Sequence, residues 1–266
     1  LLSFDAPDMC VDFVKQPVLT ASPEVLCASG VFGKIAPVDE VNFPVFESVA
    51  RHWAGPRLEI ERYFGDMYNL RDFGDWGNVR KGATWMNLET GCGMAFLIQF
   101  VRSGDPAMLD NAFRSNLHYI DIDTCHADVD PKHPGRTVGG VFAHRPDHVA
   151  SPKDLKKHDL SYLGANGHDW YPEVAFMYLL TGEEIFRDAS LLHAEATVRA
   201  IEEEFDPGHV LAREYAWPLK NLMAFHMLNP DPRYVKAAAK VMNFFAFWRN
   251  SFASGRLGNT LGQPGV

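Results

Sequence analysis

The chain has 266 residues, 47% of them hydrophobic and 12% aromatic, and a formal charge of -9. This composition can bury a large core and is typical of a globular protein. Because its 25 lysines and arginines form no basic run, we expect neither nucleic acid nor a membrane surface as a partner. The four cysteines form no C-x-x-C pair, which argues against a zinc module or a dense disulfide framework.

The local patterns divide the chain into three parts. Residues 1–43 carry prolines and β-prone runs such as "GVFGKIAPV", which predict the end of a β domain or a linker. Residues 44–250 show helical periodicity, and the glycine-rich residues 251–266 are typical of a linker or a truncated tail. The first residues contain neither an initiator methionine nor a basic start, so we expect a partial or processed chain whose partners include the remainder of a longer polypeptide.

Three helical hairpins recur in the central part. Their turns lie at 103–105, 181–183 and 229–231, where a small or polar turn follows one apolar helix and an acidic residue precedes or opens the next. The first helix of each pair is apolar almost all round and the second is amphipathic, which indicates inner and outer layers. We therefore predict a mainly α fold in which αα-hairpins form part of an (α/α) toroid, preceded by a short β segment.

A long insertion, residues 121–165, separates the first two hairpins. Seven of the eleven histidines lie between His118 and His168, and a loop of this length is usually functional or disordered. The opening stretch "HYIDIDTCHADVD" is rich in carboxylates but does not match the EF-hand pattern. Asp123 and His126 are its candidate metal ligands, so calcium or another divalent metal stays an open cofactor, and helix capping is the alternative.

Two clusters within or beside the insertion could be catalytic. In "GANGHDWYPE", His168 and Tyr171 precede a helix whose amino terminus favours a neutral imidazole that can accept a proton. In "HRPDH", Arg145 can bind a carboxylate, and His144 and His148 can act as acid, base or ligand. The alternatives are simple packing of a helix start and a surface loop held by salt bridges.

Aromatic and charged residues also precede the inner helices, as is typical of sugar binding. They could instead be core residues and caps, but their shared location favours a long polar ligand. The candidate substrate-binding residues are Trp76, Trp85, Asn87, Trp170, Arg213, Tyr215 and Trp217.

Several of these stretches together resemble a known family. "NLETGCGMAFLIQFVRSGD", "HYIDIDTCH", "GGVFAHRPDH", "GANGHDWYPEVAFMYLLTGE" and "AWPLKNLMAFHMLNPDPRYVKAA" occur in this order. Over roughly residues 44–250 the chain resembles the α/α toroid part of the exo-acting rhamnogalacturonan lyases and their bacterial relatives. The resemblance implies a β domain ahead of the toroid and β-elimination at a 4-linked uronic acid, where a base removes the C5 proton and the C4 oxygen leaves.

That chemistry gives the candidates provisional roles. By position and side-chain chemistry, we assign His168 as base, Tyr171 as acid or its partner and Arg145 as carboxylate clamp, with His126, His144 and His148 as site wall or ligands. We therefore expect a carbohydrate-active enzyme, a polysaccharide lyase, that binds a polysaccharide or oligosaccharide. A secreted or periplasmic location is expected, and a cytoplasmic one stays open.

Two alternatives belong to other functional classes. A glycoside hydrolase on the same toroid would use two carboxylates, from the candidates Asp75, Glu89, Asp169 and Glu173. A non-catalytic sugar-binding portion of a larger enzyme would bind through the aromatic residues alone. A metal-dependent hydrolase is less favoured, because no closely spaced ligand pair such as H-E-x-x-H is present.

Overall fold

Three helical hairpins form the centre of the structure. The computed structural model describes residues 20–54, 74–75, 77–78, 84–85, 88, 91–127, 138–141, 169–203 and 212–250. The described helices are α1 (Pro23–Ala28), α2 (Pro44–Ala54), α3 (Cys92–Ser103), α4 (Pro106–His118), α5 (Pro172–Thr181), α6 (Glu184–Glu203), α7 (Ala212–Leu228) and α8 (Pro232–Asn250). The fold is thus mainly helical, as the periodicity predicts.

Each of the three predicted turns joins the two helices of one hairpin. Gly104 and Gly182 have φ values of 71° and 72°, and the N–H of each donates to a carbonyl four residues earlier, at 2.7 Å. These are left-handed C-caps that glycine adopts without steric cost. Asp105 caps α4 by accepting from the Ala107 N–H at 2.9 Å. The hairpin prediction is confirmed at all three turns, since α8 also begins directly after the third.

The hairpins pack side by side in two layers. The inner helices α3, α5 and α7 contact one another in that order, and each contacts the outer helix that follows it. Large buried side chains, among them Phe96, Phe186, Phe225 and Tyr234, fill the space between the layers. No helix within the described residues is both long and apolar enough to span a bilayer. Closure into a toroid stays a prediction.

The stretch that begins the long insertion continues α4 before leaving it. Residues Tyr119–Asp123 form a π-helical turn, a form often found at functional positions. The chain is then joined to residues 139–141, further along the insertion. The Cys125 N–H donates to the Gly140 carbonyl, and the Gly139 N–H donates to the Cys125 carbonyl, both at 2.8 Å. These bonds hold two distant parts of the insertion together at the end of α4.

Of the predicted β segment, residues 1–19 lie outside the described part of the chain. Residues 20–43 contain α1 and turns, and no strand is found within them. In "GVFGKIAPV", the Val38 N–H donates to the Arg102 carbonyl at 3.1 Å, and the Arg102 Nε–H donates to the Ala36 carbonyl at 2.9 Å. The run therefore lies against the end of α3, where tertiary contacts override its β propensity.

Two short strands precede the first inner helix. β1 (Gly77–Asn78) pairs antiparallel with β2 (Thr84–Trp85), with Gly77 opposite Trp85. Just before β1, Asp75 accepts a hydrogen bond from the Leu88 N–H at 2.8 Å, and both residues are buried. The carboxylate of Asp75 thus connects the strand region to the turn before α3.

Candidate functional site

A cavity of about 300 Å³ lies where the inner helices meet. It is bounded by the first two turns of α3, by the start of α5 and by one side of α7. Its lining residues are Gly91, Met94, Ala95, Ile98, Gln99, Trp170, Pro172, Glu173, Trp217 and Lys220. It combines aromatic rings, a carboxyl group and an ammonium group, and two of the residues predicted to bind substrate, Trp170 and Trp217, line it.

Two tryptophans and a lysine form one side of this cavity. The rings of Trp170 and Trp217 meet edge to face, with centroids 4.5 Å apart and planes at 86°. The Lys220 ammonium lies 3.7 Å from the Trp217 ring centroid, which is a cation–π contact. Because Lys220 follows Trp217 by three residues on α7, the helical repeat brings both side chains to the same face.

Glu173 forms the inner wall of the cavity. It stands in the first turn of α5 and is only 1% exposed. Its Oε2 accepts the Met94 N–H at 2.7 Å, so a carboxyl group of one inner helix caps the amino terminus of its neighbour. Its Oε1 is buried without a hydrogen-bond partner among the described residues.

A glycine makes this close approach between α3 and α5 geometrically feasible. A Cβ atom at Gly93 would lie 2.9 Å from Glu173 Oε1 and 3.0 Å from Asn116 Nδ2. Any larger residue would therefore force the carboxyl group away from α3. The "TGCGM" sequence provides the space that the buried glutamate occupies.

Burial dominates the electrostatics of Glu173. Desolvation raises the pKa of its carboxyl group from 4.5 to about 8, while the Met94 N–H and the charge of Lys220 act in the opposite direction. Desolvation also lowers the pKa of Lys220, and the charge of Glu173 opposes that shift. At neutral pH the carboxyl group is therefore mostly protonated, and the lysine provides the cavity's positive charge.

A second polar cluster lies beneath the start of α5. The Asp169 carboxylate and His193 of α6 are both fully buried, with Oδ2 and Nε2 2.7 Å apart. The other ring nitrogen of His193 donates to the Gly139 carbonyl at 2.6 Å. These two buried hydrogen bonds of His193 fasten the insertion and the segment before α5 to the same outer helix.

Tyr171 lies in the core and not in the cavity. Its ring stacks on His193 with centroids 4.0 Å apart and is fully buried. The Thr124 hydroxyl donates to the Tyr119 carbonyl at 2.9 Å, so the Tyr171 hydroxyl must donate to Thr124, at 2.8 Å. Burial also raises the pKa of Tyr171 well above its usual value. This geometry holds the start of α5 and does not support the expected role as acid.

The candidate metal ligands have separate partners. Asp123 is buried, with Oδ1 3.5 Å from His118 Nε2, and desolvation raises the pKa of Asp123 to about 6. The His126 ring donates instead to the Ile120 carbonyl. Within the described part of the chain, no group of three or more His, Cys, Asp or Glu side chains is arranged to hold a metal ion.

The remaining candidates are distributed as follows. Trp170 and Trp217 share the cavity, as predicted, whereas Tyr215 is fully buried and meets Phe245 of α8 edge to face at 6.0 Å. Arg213 is exposed near the start of α7. Outside the described residues lie His144, Arg145, His148, His168, Trp76, Asn87 and Glu89, together with the side chain of Trp85.

Lys220 is the site residue that sequence reasoning missed. The spacing W-x-x-K within a predicted helix was available as a signal, because residues three apart share a helical face. The sequence analysis placed Trp217 in a cluster ahead of the inner helix, whereas the structure places it within α7, and no prediction extended to Lys220. Glu173 was predicted only as one of four hydrolase carboxylates.

Comparison with known proteins provides no identification. No family model matches the chain, and no curated protein matches it either. We therefore infer function from the cavity and its chemistry.

Proposed function

We propose that the chain is a carbohydrate-active enzyme, a polysaccharide lyase that cleaves a uronic-acid-containing polysaccharide by β-elimination. The observation that carries the proposal is the cavity in which Trp170 and Trp217 lie beside Lys220. Aromatic rings bind the apolar faces of sugars, and a cation can pair with a uronate carboxylate. The resemblance to exo-acting rhamnogalacturonan lyases supports the same substrate class.

The required chemistry fits a cationic cavity. In β-elimination a base takes the C5 proton, electron density moves toward the adjacent carboxylate, the C4–O bond breaks as the leaving oxygen takes up a proton, and a C4–C5 double bond forms. Positive charge near that carboxylate stabilises the developing negative charge. Lys220 provides such a charge from α7, and the proposal keeps Arg145 as a second cation and His168 as the base.

The position of His168 in the chain agrees with this role. Asp169 is the next residue and is fixed by its bond to His193, and Trp170 already lines the cavity. Because the Cα atoms of adjacent residues are about 4 Å apart, a base at the residue before Asp169 is close to this fixed point along the chain. The proposal therefore keeps the residue directly before this fixed point, His168, as the base.

Ultraviolet absorbance of the unsaturated uronyl product tests the proposal. The chain is incubated with rhamnogalacturonan, ulvan and polygalacturonate, and the His168→Ala variant is compared with His226→Ala. His226 is exposed on α7, so its replacement controls for the loss of a histidine as such. We expect absorbance to rise with the wild type and His226→Ala and to be lost, by about 100-fold or more, with His168→Ala. Equal rates for the two variants contradict the assignment of the base.

A glycoside hydrolase is the second candidate, and Glu173 is the observation that favours it. A carboxylic acid that keeps its proton at neutral pH can act as general acid at a glycosidic oxygen. Among the other carboxylates considered for this mechanism, Asp75 and Asp169 are buried and engaged with Leu88 and His193. New reducing ends without a rise in absorbance would support this alternative.

A further inference from the structure

We propose that Lys220 binds the carboxylate of an acidic sugar in the tryptophan-lined cavity, and that Glu173 behind it determines the pH range in which it does so. This inference rests on the proposed function, because it names the residues that would select an acidic substrate. It is tested by binding alone and does not require turnover.

The position of Lys220 permits it to leave Trp217 for a ligand. The side chain is solvent exposed, and its ammonium lies over the Trp217 ring in a cation–π contact. At exposed positions a contact of this kind is weaker than a charge-assisted hydrogen bond to a carboxylate. A sugar carboxylate can therefore draw the ammonium away and leave a Trp217 face for the pyranose ring.

The charges around Lys220 leave its own charge available. Glu173 lines the same cavity and is the carboxyl group whose charge acts on Lys220, and burial raises its pKa to about 8. Asp123 acts on Glu173 in the same direction as burial, because its negative charge disfavours a second one. From α3 the Met94 N–H contacts the Glu173 carboxyl group, and from α7 Lys220 acts on it.

The same arrangement predicts how binding depends on pH. While Glu173 is neutral, the cavity carries the positive charge of Lys220. When Glu173 loses its proton, its negative charge offsets Lys220 and repels the carboxylate of the ligand. Affinity for an acidic sugar should then fall as the pH rises through about 8, whereas affinity for a neutral sugar should not.

The experiment measures binding of a galacturonic acid trimer and of the neutral galactose trimer with the same linkage. Isothermal titration calorimetry is carried out with the wild type, Lys220→Met and Lys220→Arg. Lys236→Met is the matched control, since Lys236 is an exposed lysine of α8. We expect Lys220→Met to weaken binding of the acidic trimer by about tenfold or more, Lys220→Arg to retain most of it, and Lys236→Met to leave it unchanged.

The role of Glu173 is measured in the same way with Glu173→Gln between pH 6 and 10. The variant should bind the acidic trimer as the wild type does at pH 6 and keep its affinity through pH 8, where the wild type loses it. If the affinity of the variant for the acidic trimer still declines at higher pH, that decline reflects the loss of the proton of Lys220. Identical pH profiles for the two proteins would overturn the role of Glu173.

Failure of this inference is distinct from failure of the proposed function. Equal affinities for the acidic and the neutral trimer, absence of binding, or an unaffected Lys220→Met variant would each overturn it, whether or not the polymer is cleaved. Conversely, selective binding of the acidic trimer without an unsaturated product would support the role of Lys220 in selecting an acidic sugar and would contradict the lyase mechanism.

Discussion

Replacing Glu173 by glutamine should change how the stability of the protein depends on pH. In the unfolded chain the carboxyl group has its ordinary pKa of 4.5, and in the folded protein burial raises the pKa to about 8. Between these values the folded state holds a proton that the unfolded state has released. The free energy of unfolding of the wild type therefore falls as pH rises from 4.5 to 8, and the contribution is fully present only below 4.5.

The magnitude follows from the difference between the two pKa values. Each unit corresponds to about 1.4 kcal/mol, so the loss amounts to at most about 5 kcal/mol across this window. A glutamine side chain cannot ionise, so the Glu173→Gln variant lacks this loss. Asp123, whose pKa is raised to about 6, contributes a further loss at lower pH, but it is present in both proteins and cancels in the comparison.

Urea denaturation at intervals between pH 5 and pH 9 measures this difference. Glu183→Gln, in the exposed turn before α6, is the control and should follow the wild type. We expect the stability of Glu173→Gln relative to the wild type to increase steadily up to about pH 8. Parallel curves for the wild type and Glu173→Gln would refute the conclusion that burial controls this carboxyl group.

Three further predictions concern the packing around the site, each measured by thermal and urea denaturation. Gly139→Ala should cost more stability than Gly182→Ala. Both glycines have positive φ, but a Cβ atom at 139 would lie 2.5 Å from a backbone oxygen of α6, whereas nothing lies within 4 Å of a Cβ atom at 182. Equal losses of stability would contradict the docking of the insertion on α6. His193→Ala should cost about 3–5 kcal/mol by leaving a buried carboxylate unpaired, and a loss below about 1 kcal/mol would contradict that pairing. Arg102→Met should cost a similar 3–5 kcal/mol, because it leaves Glu47 buried without its ion-pair partner, and unchanged stability would contradict this ion pair.

The helical part of the fold could be predicted because its signals are local. A glycine or its substitute ends a helix, an acidic residue caps the next, and an apolar period defines the buried face. Gly104, Asp105 and Gly182 all act as the sequence indicates. The conformation of the run "GVFGKIAPV" was harder to predict, because it depends on Arg102, which lies more than 60 residues away in the sequence.

The site could be predicted only in outline. The clustering of aromatic residues before the inner helices indicated a shared cleft, and Trp170 and Trp217 do meet there. Whether Tyr171 and Tyr215 face that cleft or the core depends on the exact rotation of each helix. Neighbouring side chains at a helix start also point in different directions, so Trp170 lines the cavity while Tyr171, which directly precedes α5, stacks on a buried histidine.

The charge state of the cavity could not be read from the sequence. Glu173 has an unusual pKa only because Gly93 lets it lie against α3 and because surrounding helices exclude water from it. Both conditions arise from contacts between distant parts of the chain. The sequence shows a glutamate in a first helical turn, where an ionised side chain would normally be favourable.

The mass of the products released from rhamnogalacturonan tests the central claim most directly. Elimination produces an oligosaccharide that is lighter by one water than the product of hydrolysis, and mass spectrometry separates the two without any assumption about the residues involved. The account predicts the lighter, unsaturated product with the wild type and its loss in His168→Ala. Products with the full mass of hydrolysis, or no products from any uronate-containing polymer, would contradict it.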